Sequence, residues 1–518
     1  MTRAVLEDHA DLVFWTLFGI CGLIAATPFW IPDYLPLQDV GANLTYSVIL
    51  HHHGEAGHPY TELYSTGSIW LPNGLALYAI SWLGHLVDFI TAVRLVLTAL
   101  AFLLPLALLA LLRACGRNRW WVFFGFLLVF SYPLACGYLP FAASMPALLW
   151  ALALNRRHAT APGWRSGAAL AAVGGLVFWG HAQAYLYLGY LVLVSLLVHA
   201  RSPKQVGLLV APYLPSLALA LPWILSRAAA AAPAAGKLDL VAGGGVGAEW
   251  LGPLEMLGRF PGCTIQQLAG PLDEIAFALI AMAAILAAGH SLWRRLKVQP
   301  LEERGEWYLE TLAAAALIAC FAFPYLLRIH TGVNTRMVPI FWLLLAASGR
   351  LPESIRARQA IVGAVIAAGL CFHVGVAERY SAFQAEEVGD LIPLLDRLPE
   401  RSRLAYLPLD DGTSRIVESG RGVFWHLYGY HFALNQGVAF SHWQRYAGRH
   451  AEYRPGQELP EPRPPLTRFL ASPAAAAYEY LLLRTSAPAG ARPPHPRMQP
   501  VGLAGRFSLW RLRPAGGP

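Results

Sequence analysis

Residues 32–66 read PDYLPLQDVGANLTYSVILHHHGEAGHPYTELYST, and this stretch decides how the rest of the chain is read. It contains no Lys or Arg, yet it holds Asp33, Asp39, Glu55 and Glu62 together with His51, His52, His53 and His58. It follows directly on an apolar run, 12–31. About 20 apolar residues in a helix cross a hydrocarbon core about 30 Å thick. The stretch is therefore an acidic, histidine-bearing loop held at a membrane surface, a setting suited to chemistry on a lipid-anchored substrate.

Outward from this loop, the composition sets the class. Hydrophobic residues make up 56% of the 518 positions and charged residues 14%, with mean hydropathy +0.45. Soluble domains carry about 25% charged residues, so this is a polytopic membrane protein rather than a set of soluble domains. The net charge of +8 is no sign of nucleic-acid binding. Most of the Arg lies in short loops between apolar runs, where it orients a protein in the bilayer. Cys21, Cys115, Cys136, Cys263, Cys320 and Cys371 are scattered without CxxC or Cys/His ligand spacing. Neither a disulfide framework nor a zinc site follows from them.

Candidate spans fall at 12–31, 92–112, 119–139, 140–154, 166–183, 184–200, 205–225, 273–292, 307–327, 336–349 and 356–377. Runs 140–154 and 336–349 are short for a bilayer. The run 69–90 is apolar but carries Pro72, Asn73, Gly74, His85 and Asp88. Charge decides its role. If 69–90 does not cross and the N-terminus is cytoplasmic, the cytoplasmic loops collect fifteen basic residues, among them Arg113, Arg156, Arg201, Arg294 and Arg350. The opposite loops hold five: Arg227, Lys237, Arg259, Arg328 and Arg336. A crossing at 69–90 would invert that bias. The segment reads as a juxtamembrane or re-entrant helix, leaving eleven spans, a first outer loop over 32–91 and the C-terminus outside. Glu7, Asp8 and Asp11 beside Arg3 favour an uncleaved anchor over a signal peptide.

From about Glu378 long apolar runs stop and Pro, Arg and acidic content rises. Residues 403–409, 478–484 and 507–513 have strand character, 386–398 helical character, and the Pro-rich 452–467 reads as loop. The expected fold is an all-α polytopic membrane bundle over 1–377 with juxtamembrane helices, followed by a small α/β exoplasmic domain over 378–518.

The candidate chemistry lies at the outer ends of the spans. Asp39, and Asp33 six residues earlier, can deprotonate an acceptor hydroxyl; Asp39 can also bind a divalent cation, Mg or Mn, bridging a lipid phosphate. His53 and His58 are candidates to line a pocket. His181 and Gln183 sit in a turn between two spans, where ionisable groups usually face a bundle interior or a water-filled cavity. Arg328, His330 and Arg336 cluster on the outer face against the positive-inside trend, and Arg forks match phosphate. The outer loop 226–272, with Gly243, Gly244 and Gly245, lacks P-loop context and reads as a gate. Trp425, His426, Tyr428, Tyr430, His431, His442, Trp443 and Tyr446 suit membrane-interface docking.

The uncleaved first span, the acid soon after it, the Pro-containing segment WLPNGLALY (70–78), the many spans and the outer terminal domain together resemble the GT-C superfamily of membrane glycosyltransferases, which includes aminoarabinose transferases and protein O-mannosyltransferases. The resemblance implies a sugar donor carried on a polyprenyl phosphate, inversion at the anomeric carbon, no nucleotide sugar, and a first-loop acid, here Asp33 or Asp39, as base or metal ligand. It implies a glycan, lipid or protein acceptor and the outer face of a bacterial inner membrane. The paired Asp-Glu of several members is absent. A lipid-linked glycan flippase would instead place ionisable groups deep in the spans. A non-catalytic envelope assembly protein would depend on its tail and not on its first loop.

Overall fold

The computed structural model describes residues 3–231, 248–265, 271–298, 307–327, 330–417, 422–446, 449–486 and 495–513. The expected gate at Gly243–Gly245 and the phosphate candidate Arg328 lie outside the described residues.

The helices in chain order are α1 (Arg3–Ala26), α2 (Val40–His52), α3 (Tyr60–Leu63), α4 (Leu75–Leu83), α5 (Phe89–Ala114), α6 (Phe123–Leu127), α7 (Tyr132–Ala135), α8 (Leu139–Thr160), α9 (Trp164–Gly180), α10 (Ala182–His199), α11 (Pro203–Val210) and α12 (Leu214–Ala231). They continue as α13 (Pro253–Thr264), α14 (Pro271–Val298), α15 (Tyr308–Ala322), α16 (Met337–Ser348), α17 (Ile355–Phe383), α18 (Leu391–Leu395), α19 (Tyr428–Asn435) and α20 (Leu466–Ala471). Strands are β1 (Tyr64–Thr66), β2 (Ala248–Glu249), β3 (Leu326–Leu327), β4 (His330–Thr331), β5 (Arg403–Pro408), β6 (Val438–Ala439), β7 (Ala451–Tyr453), β8 (Tyr480–Arg484), β9 (Met498–Ala504) and β10 (Phe507–Leu512).

Each of the eleven expected apolar runs contains helix, although 307–327 ends in β3. Among the described residues, six helical stretches are long and apolar enough to cross a membrane: Ala10–Trp30, Phe89–Ala114, Ala182–His199, Pro203–Ser226, Asp273–Trp293 and Ile355–Val388. Arg119–Ala135, Tyr308–Ala322 and Met337–Ser348 are apolar but shorter. The expected run 119–139 is broken between α6 and α7. Pro133 lacks an N–H to give the carbonyl four residues back, so the helix restarts with Pro133 in the first turn of α7. The run 140–154 gains length by extending to Thr160 in α8. α4 has nine residues, about 13 Å at 1.5 Å per residue, which is too short to cross and agrees with a juxtamembrane helix.

The tail holds a five-stranded mixed sheet in the order β6-β5-β8-β10-β9. β5 runs parallel to β6 and β8, while β10 runs antiparallel to β8 and β9. Four of the five residues of β8, Leu481–Arg484, are buried, as a strand covered on both faces requires. β9 had no strand signal because Pro500 and Gly502 interrupt it. Pro500 has no N–H for a ladder and survives because β9 is the sheet edge; the register shifts between Leu509 and Trp510 at this point. The helix expected over 386–398 is shorter. Beyond α17 the chain makes a π turn over Gln384–Val388, Gly389 adopts φ +53, and only Leu391–Leu395 is regular α-helix.

A strand pairing and a helix packing bind the tail to the first loop, beside single hydrogen bonds such as Tyr60 Oη to the Gly437 carbonyl. β1 pairs antiparallel with β7, Tyr64 opposite Tyr453 and Thr66 opposite Ala451. α2 packs between α4 and α19, and most of its residues are buried, polar Asn43, Thr45 and Ser47 included. The approach of α2 to the tail is so close that a Cβ on Gly41 would lie 1.8 Å from the His426 carbonyl oxygen, and one on Gly429 would lie 1.8 Å from the Gly41 carbonyl oxygen. Glycine at both positions is a steric requirement of this crossing.

Candidate functional site

Asp39 stands immediately before α2. Its side chain makes no capping bond to the helix, so capping does not explain the residue. Its Oδ1 lies 3.3 Å from His426 Nε2, with the two side chains 14% and 11% exposed. Gln38 Nε2 donates to the same oxygen at 3.2 Å. The His426 ring sits in a polar chain. Trp443 Nε1 donates to His426 Nε2 at 3.4 Å, His426 Nδ1 meets the Tyr428 hydroxyl at 3.0 Å, and that hydroxyl meets Ser441 Oγ at 3.0 Å. In the neutral ring that accepts from Trp443, the proton sits on Nδ1. Protonation at Nε2 turns that same atom into a donor to Asp39. The carboxylate therefore faces a group able to take up a proton from it.

The backbone of Asp39 is locked to the loop between α7 and α8. Its N–H donates to the Cys136 carbonyl at 3.2 Å, and Asn43 Nδ2 bridges the Asp39 and Gly137 carbonyls at 2.7 and 3.1 Å. Gly137 has φ +68, and a Cβ there would sit 2.5 Å from the Asp39 nitrogen. Both the left-handed conformation and the close approach need glycine.

On the far side of the same loop lies Arg336. It ends the turn that follows β4 and precedes α16, and it is only 7% exposed. Its guanidinium lies 4.1 Å from the centre of the Tyr138 ring and 5.8 Å from that of Phe141. Nη1 donates to Gln183 Oε1 at 2.9 Å and Nη2 to the Thr331 carbonyl at 3.3 Å. The buried Nε has no partner. Gln183 Nε2 in turn donates to the Val333 carbonyl at 2.6 Å. His181 caps α10 by accepting from the Gln183 N–H at 3.1 Å, and its ring meets Phe141 edge-on at 5.2 Å. The Tyr138 phenol and the Cys136 thiol lie within electrostatic reach of both Asp39 and Arg336. Residues 136–138 thus touch the Asp39 backbone at Cys136 and the Arg336 guanidinium at Tyr138. Beside this loop, a small void of about 20 Å³ is lined by Leu100, Leu104, Leu134 and Met145.

The other candidates are placed elsewhere. Asp33 is exposed; its N–H donates to Gln384 Oε1 at 2.8 Å and its carboxylate lies 3.9 Å from Arg94 Nη2, so it answers to α5 and the end of α17. His330 belongs to β4, which pairs with β3. His53 Nε2 bonds to the Tyr64 carbonyl at 3.2 Å. His58 Nε2 lies 3.3 Å from Glu55, at the opposite end of α2 from Asp39. Burial pushes His52 and His58 toward the neutral imidazole. The sequence offered no local cue to His426, which reads there as one more interfacial aromatic; its partner is far away in the chain.

Among the described residues, no third His, Cys, Asp or Glu joins Asp39 and His426 in a metal-sized cluster. Mg and Mn favour shells built mainly of oxygen. One carboxylate and one imidazole do not fit that demand, and no chemical step is routed through a cation here. A cavity of about 290 Å³ in the tail, lined by Asp410, Thr413, Arg415 and Arg506, shares no residue with either charged centre.

No protein-family model and no curated protein matches the chain. Solved structures do. The aminoarabinose transferase ArnT from Cupriavidus metallidurans, solved bound to undecaprenyl phosphate, aligns over 96% of this chain and 98% of its own, with TM-score 0.56 and 11% identity. The oligosaccharyltransferase of Archaeoglobus fulgidus, solved with Zn and sulfate, aligns over 90% of this chain and 68% of its own, with TM-score 0.47 and 12% identity. The likeness to ArnT is one of fold: this chain shares the overall architecture of that structure.

Proposed function

We propose that the chain is an integral membrane glycosyltransferase that moves a sugar from a polyprenyl-phosphate donor to a glycan, lipid or protein acceptor at the outer face of a bacterial inner membrane. One observation carries the reading: Asp39 and Arg336, opposite in charge and distant in sequence, flank the same short loop at 136–138. The ArnT fold, known from a structure with undecaprenyl phosphate bound, supports the donor class. The distribution of Lys and Arg supports a cytoplasmic N-terminus, eleven spans with 69–90 outside, and a periplasmic domain over 378–518.

Asp39 is the base. It takes the proton of the acceptor hydroxyl, with His426 Nε2 at 3.3 Å placed to receive it in turn. The hydroxyl oxygen bonds to the anomeric carbon from the face opposite the phosphate, and the carbon–oxygen bond to that phosphate breaks. Polyprenyl phosphate leaves with the electron pair. Arg336, steered by Gln183 and stacked on Tyr138, offers its unpartnered Nε–H and its charge to that leaving group. Such preorganised donors act most strongly where water is excluded. His181, through Gln183, orients the phosphate ligand and does not touch substrate. Asp33, His53, His58 and His330 have no part in the transfer step.

The test is transfer from a polyprenyl-phosphate sugar in proteoliposomes. Asp39→Asn lowers kcat by about 10²–10⁴-fold, the range of general-base catalysis. Arg336→Gln lowers kcat/KM for the donor by a comparable factor, about 10²–10³-fold as for loss of one charge-stabilising donor. Wild-type rates in Asp39→Asn remove Asp39 from the mechanism.

A further inference from the structure

The C-terminal end of α2 carries a cluster that the proposed transfer chemistry does not use. Ligand atoms of His51, His52 and Glu55 all lie within 4.8 Å of one another. Glu55 Oε2 is 2.7 Å from His52 Nδ1 and 3.3 Å from His58 Nε2. The His52 and His58 rings stack at 4.5 Å and 9°, and His51 packs edge-on against His52 at 4.5 Å. Two of these rings are short of partners. The His58 side chain is 7% exposed, yet its Nδ1 has none; His52, 8% exposed overall, leaves Nε2 with none. Buried imidazole nitrogens without a partner are costly. One carboxylate shared by two imidazoles cannot meet the demand.

We propose that His51, His52 and Glu55, with His58 as the fourth donor, bind one divalent transition-metal ion of the zinc class. Imidazole and carboxylate are zinc's ordinary ligands, and four donors complete a closed tetrahedral shell. Mg and Mn would prefer oxygen. One ligand atom from each of His51, His52 and Glu55 is already close enough to share an ion. His51 Nδ1 already bonds to the Ser81 carbonyl at 2.8 Å, as metal-binding histidines are commonly oriented by a second bond. The ion would tie α2 and the turn at 53–59 to α4. Asp39 is at the other end of the 13-residue α2, about 20 Å away, so the ion is structural and the inference stands apart from the transfer reading.

The experiment uses the full chain in detergent, stripped with EDTA and reloaded with Zn²⁺ or Co²⁺ alone. The wild type retains about one zinc per chain by mass spectrometry after dialysis, and Co²⁺ gives the intense d–d absorption of four-coordinate N/O ligation. Zinc raises its thermal midpoint. His52→Ala and Glu55→Gln lower affinity at least tenfold, His58→Gln also weakens it, and His53→Ala, whose ring bonds to Tyr64 instead, retains it. A wild type that takes up no zinc, a weak six-coordinate Co²⁺ spectrum, or uptake that survives all three ligand substitutions overturns the site. The Co²⁺ spectrum is read on the wild type, so a variant that fails to fold does not decide the question.

Discussion

His426 is where the tail reaches Asp39. Its Nε2 faces Asp39 at 3.3 Å, and its Nδ1 continues through Tyr428 to Ser441. If the ring receives the proton that Asp39 collects, His426→Gln slows transfer by about 10²-fold, the scale of a misplaced catalytic group. A steady-state rate measurement checks this; an unchanged rate leaves His426 with packing alone. Of the residues at this centre, Asp39, Gln183 and Arg336 were legible in the sequence, because each breaks a local pattern of charge or polarity at a span end. His426 was not. It breaks no pattern, and its meaning comes from a contact across almost the whole chain.

At the scale of elements, α2 is the piece that must be held. Its first turn fixes Asp39 through the 136–138 loop, its middle lies between α4 and α19, and its last turn carries the histidines. The crossing with the tail depends on Gly41 and Gly429. Gly41→Ala places a methyl 1.8 Å from the His426 carbonyl, which is backbone and cannot rotate away. Thermal unfolding should show a loss of about 1–3 kcal/mol, the usual cost of overpacking, together with slower transfer as His426 is displaced. Unchanged stability and rate would mean that the crossing is looser than this. Element boundaries follow local chemistry where it is strong. Pro133 breaks the run at 119–139, and the alternation and apolar content of 403–409 and 478–484 mark real strands. β9 was hidden because an edge strand tolerates Pro500 and Gly502, residues that normally argue against a strand.

At the scale of the whole molecule, the membrane helices and the tail make one device. β1 with β7, and α2 with α19, bind the first loop to the terminal sheet, so the loop that follows the first span is roofed by the last part of the chain. Composition and charge distribution gave the bundle and its expected orientation, since both are sums over many residues. The joining of roof and loop rests on a few close contacts and had no such signature. The most direct measurement is a structure of the chain with a polyprenyl phosphate bound. The phosphate is expected within about 3 Å of the Arg336 guanidinium, with the Asp39 carboxylate facing the position of the sugar. A phosphate bound elsewhere, with Arg336 still held only by Gln183, Thr331 and Tyr138, would contradict it.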